Sequence, residues 1–329
     1  MKTEISTDRT AAVELLRKGE IVALPTETVY GLAANALNPI AVAKIFEAKE
    51  RPRFDPLIVH LPDREWLERV VDLPAQDRQL ILKLADAFWP GPFTMVLPKR
   101  KIVPEIATAG LDTVAVRVSV HPVFSEIIRA LGKPLAAPSA NRFGRVSPTT
   151  AQHVLDDLKD QIPLIIDGGP TAHGIESTIV AICAGGIHIL RRGPITEEQL
   201  SESGKIDIIA SAEKVSAPGQ LPTHYAPKTP LRLIEDVNSF SPDKKQRVGL
   251  LGWNPLKSEK NFAAVRYLSE RQDFRDAAMN LFRYLRELDQ FDLDFIVAER
   301  VPEQGLGAAI MDRLQRAAHR PVDAQDTPE

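Results

Sequence analysis

One cysteine, Cys183, stands in the whole chain of 329 residues, inside the apolar run STIVAIC. An internal disulfide is therefore impossible, and neither a cysteine metal cluster nor a cysteine redox pair can be assembled. That scarcity fits a reducing compartment. Apolar runs of membrane-spanning length are also lacking, and the opening MKTEISTDRT is polar where a secretory leader would need an apolar core. The expectation is a soluble, cytoplasmic protein without membrane association. Charge of one sign is missing too, since 41 Lys and Arg against 44 Asp and Glu leave a net −3. No whole-protein basic field exists for holding nucleic-acid phosphates, although a local basic pocket stays open. Two nucleotide signatures are absent as well: no G-x-x-x-x-G-K-[ST] loop occurs, and no G-x-G-x-x-G follows a strand in the first domain. Any nucleotide is held by other means.

The length exceeds what one hydrophobic core usually supports, so two domains are expected. Apolar residues at 44% and charged residues at 26% lie near the globular average, which excludes a long low-complexity protein. The 26 prolines, about 8% of the chain against an average near 5%, cluster beside polar motifs, among them Pro25, Pro52, Pro56, Pro90, Pro92, Pro138 and Pro148. Rigid loops are their expected product.

Periodicity supplies the elements. Ala11, Ala12, Leu15 and Leu16 share a helical face over 7–18, and 21–24 reads as a buried strand, so a helix followed by a strand opens the chain. Asn38 and Pro39 form an N-cap and first-turn pair for the helix AVAKIFEAK, which leads into the basic loop 49–53. PLIVHL, FTMVL, TVAVRV, PLAAP, PLIIDGG, STIVAI and IHILR read as strands, and 74–88 and HPVFSEIIRAL as helices. Ser147 with Pro148 is expected to cap a helix over TTAQHVLDDL. Residues 201–230 lose periodicity in the Pro-rich SAPGQLPTHYAPKTP, an extended connector. Beyond it LRLIED, RVGLLGW, AVRYL and FDLDFIVAE are strand candidates, with helices near 274–288 and 307–318. The expected division is a catalytic domain 1–203, a linker or lid 204–230, a smaller α/β domain 231–320 and a disordered tail 321–329.

Five polar segments punctuate the first domain. PTETVYGLAANA (25–36) follows a strand with a density of small polar groups typical of a binding loop, though Thr26 and Thr28 could equally cap backbone. KERPRFDPLIVH (49–60) gathers Lys49, Arg51 and Arg53, which suit phosphate oxygens or simple charge compensation of a helix C-terminus. His60 ends an apolar strand, where a lone histidine is more often a satisfied core residue. Arg117 lies inside an apolar alternating strand, and a buried guanidinium needs an anionic partner, either a protein carboxylate or a ligand. AAPSANRFGRVSPT (136–149) is built of small residues that let a ligand approach the backbone, and DGGPTAHGIESTIV with ILRRG adds Ser177 and Arg191.

In order along residues 8–200, PTETVYGL, the K-x-R-P…P-L-I-V-H loop, WPGPFT, A-V-R, AAPSAN…SPT, DGG…G-ESTIV and ILR-x-G resemble the threonylcarbamoyl-AMP synthase (YrdC-like) family. PGQLPTHYAP and the closing GLGAAIMDRLQRAA resemble its two-domain branch. The resemblance implies an α/β fold: an N-terminal YrdC-like twisted sheet domain with a concave, positively charged cleft, plus a smaller Rossmann-like C-terminal domain. It implies that L-threonine and bicarbonate form a carbamate that attacks the α-phosphate of ATP, with Mg²⁺, releasing pyrophosphate. The mixed anhydride would pass to a tRNA threonylcarbamoyl transferase complex for modification of an adenosine next to the anticodon, with direct tRNA contact an open question. The threonine pocket so implied is Thr28, His60, Arg117, Ser139 and Ser177, with Arg117 on the substrate carboxylate. The implied nucleotide contacts are Lys49, Arg51, Asp55, Thr113, Ala137, Asn141, Ser147, Arg191 and Tyr225. One departure is visible: Phe54 and Asp55 stand where the family often has Asp-Asn, and a carboxylate facing phosphate would repel it. No general base is assigned. Two rivals are a carbamoyl-adenylate-forming activity like that of the related domain of hydrogenase maturation proteins, whose zinc fingers need cysteines this chain lacks, and a noncatalytic RNA-binding regulator.

Overall fold

The computed structural model describes residues 2–183, 185–208, 225–243, 245–256 and 261–319. The chain divides into two compact units: Met1–Phe143 with Ser147–Gln220, and Gly144–Val146 with Leu221–Glu329. His224, Pro218 and Pro222 of the connector, and the tail 321–329, lie outside the described residues.

Among its described residues the first unit carries eleven strands: β1 (Glu4–Ser6), β2 (Val22–Leu24), β3 (Gly31–Asn35), β4 (Ile58–His60), β5 (Phe93–Pro98), β6 (Thr113–Arg117), β7 (Leu135–Ala136), β8 (Leu164–Ile166), β9 (Thr178–Cys183), β10 (Gly186–Arg191) and β11 (Ile206–Ile208). They form one mixed sheet in the order β1-β8-β2-β3-β7-β4-β6-β5-β9-β10-β11. Its helices are α1 (Arg9–Arg17), α2 (Pro39–Lys49), α3 (Leu67–Val70), α4 (Arg78–Phe88), α5 (Glu105–Thr108), α6 (Pro122–Leu131), α7 (Ala151–Leu158) and α8 (Glu197–Ser201). A continuous core runs under this sheet, with Leu32, Val59, Phe93, Met95, Val116 and Ala136 at 0% exposure against Val42, Ile45 and Leu84 from the helices. Burial on both faces explains why the central strands read as apolar runs instead of alternating ones.

Local chemistry sets the helix ends. Asn38 accepts from the amides of Ile40 and Ala41 while Pro39 opens α2, as the sequence indicates. Three expectations need correction. The chain opens on strand β1, paired in parallel with β8, because a three-residue edge strand leaves no readable period. The α7 cap is Thr150, which accepts from the amide of His153 at 3.2 Å; the Ser147 hydroxyl is committed to Glu176, and the Pro148 carbonyl accepts the Tyr30 amide. The segment Gly31–Asn35, read as part of a loop, is strand β3, pairing with β2 and β7.

Among its described residues the second unit has four strands, β12 (Leu231–Ile234), β13 (Val248–Gly252), β14 (Ala264–Tyr267) and β15 (Phe295–Glu299), and two α-helices, α9 (Phe274–Leu288) and α10 (Leu306–Ala318). The sheet is all parallel in the order β12-β15-β13-β14. Glu299, at the end of central β15, accepts the amides of Trp253 (2.7 Å) and Asn254 (3.1 Å) and so ties the exit of β13 to that of β15. Among the described residues no helix is long and apolar enough to cross a membrane.

Candidate functional site

Two neighbouring parallel strands bring the first group together. In β4 and β6, His60 stands in register with Arg117, each the last residue of its strand. Arg117 is 3% exposed. Its Nη2 donates to Glu27 Oε1 at 2.6 Å, its Nη1 to Thr28 Oγ1 at 3.1 Å and its Nε to the Gly91 carbonyl at 3.2 Å. The anionic partner that a buried guanidinium requires is thus a protein carboxylate, Glu27, the one acid of the segment 25–36. Glu27 Oε2 accepts in turn from the Ser119 hydroxyl, and the Glu27 carbonyl accepts the His173 amide.

The loop before β3 is built by hydroxyls. Thr26 donates to the Val29 carbonyl (2.6 Å) and accepts the Thr28 amide (3.1 Å), a turn made by a side chain. Thr26 therefore serves backbone, whereas Thr28 delivers its hydroxyl to Arg117.

Electrostatics fix the protonation of this group. Burial alone would raise the Glu27 carboxyl, but the Arg117 charge and the hydrogen bonds from Ser119 and Arg117 overcome it and hold the pKa at about 2. Burial, then the charge of Arg117, depresses His60 to about 3, so its imidazole is neutral. His60 is not a satisfied core histidine: its buried Nδ1 has no hydrogen-bond partner, and its ring lies 4.7 Å from that of Phe124.

A second group gathers between the end of α2, the entry to β4 and the loop after β7. Lys49 is 1% exposed, and its Nζ donates to the carbonyls of Ser139 (2.6 Å) and Asn141. The Lys49 carbonyl accepts the Phe143 amide, so one residue clamps this loop from both its ends. Burial, then the nearby Arg51 charge, lowers the Lys49 pKa well below the usual lysine value. Arg51 pairs with Asp55 at 2.8 Å and donates to the carbonyls of Asp55 and Pro56. Asp55 is fully buried; burial raises its pKa while Arg51, Lys49 and Arg191 pull it back down. Its carboxylate answers cations of the protein, Arg51 first among them.

The third group lies where β9 begins. The Thr94 and Ser177 hydroxyls are 2.8 Å apart, and Arg191 Nη2 donates to Ser177 Oγ (3.1 Å) and to the Ser177 carbonyl (3.0 Å). Gly193 permits this: a Cβ there would fall 2.4 Å from the Thr178 nitrogen. Ser147 donates to Glu176 beside it. The backbone of residues 137–140 runs along β3 and β4, through Ala137 N to Ile58 O (3.0 Å), Leu32 N to Pro138 O and Ala140 N to Tyr30 O (both 2.8 Å). Thr113 opens β6, four residues before Arg117, at the opposite end of that strand. Tyr225 belongs to the second unit, where it is fully buried at φ +65°, 5.5 Å from the ring of Phe282 and beneath the guanidinium of Arg313. Sequence reasoning missed Glu27, Ser119, Thr94 and Glu176 as organisers. A signal existed for Glu27 alone, as the one acid of the segment 25–36 in a domain whose Arg117 demanded an anionic partner.

A family model described as telomere recombination, covering Sua5, YciO and YrdC, matches residues 14–193. A second, described as the threonylcarbamoyl-AMP synthase C-terminal domain, matches residues 195–319. The threonylcarbamoyl-AMP synthase of Bacillus subtilis is 42% identical over 325 residues, 93% of this chain and 92% of its own length. That of Pyrococcus abyssi is 40% identical over 324 residues, 93% of each. The crystal structure of P. abyssi Sua5 complexed with L-threonine superposes with a TM-score of 0.85 at 38% identity, covering 96% of this chain and 97% of that one. The chain belongs to the threonylcarbamoyl-AMP synthase family, two-domain branch.

Proposed function

We infer that this chain makes L-threonylcarbamoyladenylate from L-threonine, bicarbonate and ATP. The observation that carries this is the 40–42% identity to synthases over nearly the full length of both partners, on a fold shared with a threonine-bound relative. The neutral threonine amine bonds through its nitrogen to the bicarbonate carbon, the C–OH bond of bicarbonate breaks, and that hydroxyl leaves as water with one amine proton, giving a carbamate. A carbamate oxygen then attacks the α-phosphorus, the bond from that phosphorus to the bridging oxygen breaks, and pyrophosphate leaves. Positioning and charge stabilisation are the means available to the protein.

Thr28, His60, Arg117, Ser139 and Ser177 are proposed to hold threonine, Arg117 gripping its carboxylate with donors that Glu27, Thr28 and Gly91 leave unused. Lys49, Arg51, Asp55, Thr113, Ala137, Asn141, Ser147 and Arg191 are proposed for ATP. In this reading Lys49 acts by shaping the 139–141 loop and Asp55 by setting Arg51. Tyr225 is assigned to the nucleotide on the resemblance of its motif, and Tyr225→Ala checks it through the KM for ATP. Magnesium enters with the nucleotide: among the described residues no group of three His, Cys, Asp or Glu side chains could cage an ion, which suits an ion held by phosphate oxygens and water. Transfer to tRNA by a partner complex, a cytoplasmic location, and the bounds 1–203, 204–230 and 231–320 complete the proposal; limited proteolysis tests the bounds.

The deciding experiment incubates the purified protein with ATP, Mg²⁺, bicarbonate and threonine and seeks threonylcarbamoyl-adenylate by mass spectrometry. Its absence, together with tight and salt-sensitive RNA binding, would favour the noncatalytic reading instead.

A further inference from the structure

The formal charge around Arg117 cancels. The guanidinium and the Glu27 carboxylate are 2.6 Å apart with side chains 3% and 5% exposed, His60 is neutral beside them, and Thr28 supplies a hydroxyl. Glu27 uses one acceptor site on each oxygen, for Arg117 and for Ser119. An ionised carboxylate offers about four, so acceptor capacity is left over. A plain carboxylate entering beside Arg117 therefore meets not a bare cation but an ion pair, and its own charge faces that of Glu27 in a site where water screens weakly. A ligand that brings a cation with its carboxylate removes that conflict.

Resting on the reading that this pocket takes L-threonine, we propose that Glu27 is a specificity-determining residue. It makes the Arg117 pocket select a zwitterionic α-amino acid over a simple monocarboxylate anion. The discrimination comes from charge and not from shape, since the carboxylate of an anion would fit the guanidinium equally well.

Calorimetric titration of the full chain with L-threonine and with 3-hydroxybutyrate, which is threonine less its amine, tests this. The wild-type protein should bind the anion on the order of 100-fold more weakly. In Glu27→Gln the gap should shrink at least about tenfold, with the anion gaining while threonine loses; Ser119→Ala, which keeps the carboxylate, should leave the ratio unchanged. Parallel weakening of both ligands in Glu27→Gln would reduce Glu27 to a structural role and overturn the proposal. If that variant does not fold, the wild-type comparison decides alone: a gap under about threefold overturns it. A wild-type protein that binds no threonine would instead defeat the reading of the pocket on which the proposal rests.

Discussion

Two buried groups of the first unit handle charge in different ways. Beyond the last residues of β4 and β6, Arg117 is matched one-to-one by Glu27, whose pKa falls to about 2, and the neighbouring His60 stays neutral. In the group around Asp55, the cations Lys49, Arg51 and Arg191 all act on its carboxylate, whose pKa burial raises, and Asp157 acts on Lys49 as well. The first arrangement suits a ligand carrying both signs; the second gathers guanidinium groups of the kind that answer phosphate oxygens as charge builds on them during transfer. The difference shows that counting cations in a motif says little until their buried partners are known.

The comparison can be broken most severely at Arg117. Arg117→Lys should raise the KM for threonine by about 100-fold or more, because a point ammonium cannot reproduce a planar guanidinium joined to Glu27, Thr28 and Gly91. The KM for ATP should hold. An unchanged threonine KM in steady-state assays would remove Arg117 from the substrate carboxylate. A smaller effect should appear on the ligand side. Serine in place of threonine should lower kcat/KM by about 10–200-fold, the range one methyl commands in a fitted pocket. Equal values would mean that the methyl is not read.

Acid should expose the neutral histidine. His60 in the fold has a pKa of about 3 against 6.5 for an ordinary histidine, so between those values the unfolded chain binds the extra proton. Stability from this group is present above pH 6.5 and is lost as pH falls toward 3, with a slope up to roughly 1.4 kcal/mol per pH unit. Denaturant titrations across that window should show a shallower acid loss in His60→Phe; identical slopes would mean another group carries it. Glu27, depressed instead from 4.5 to about 2, keeps its contribution until the pH drops below 4.5. The smallest change is expected in the group around Asp55: Asp55→Asn should raise the KM for ATP by about tenfold, because Arg51 loses the buried carboxylate that sets it. An unchanged KM would show that the Asp55 charge does not orient Arg51.

Much of this was legible in the residues. Element order followed from apolar period and cap chemistry, as at Asn38–Pro39, and the motif set pointed to the family that the comparisons support over nearly the whole length. Strand β3 was hidden because Gly31 to Asn35 is buried on both faces and made of small residues, which gives neither alternation nor β-branched bulk. Strand β1 is three residues long at a sheet edge, too short for any period.

By itself the sequence determined that Arg117, set in an apolar strand, must meet an anion, and that Lys49, Arg51 and Asp55 travel together on one loop. Those demands are local, fixed by residue type and spacing. Which anion Arg117 meets, that the ammonium of Lys49 closes on the carbonyls of Ser139 and Asn141 about 90 residues away, and that Ser177 is shared by Thr94 and Arg191 were decided only in the tertiary structure. Glu27 lies 90 residues from Arg117, and no spacing rule links them; the pairing arises because sheet order sets the loop before β3 against the end of β6, where burial leaves the two charges no partner but each other.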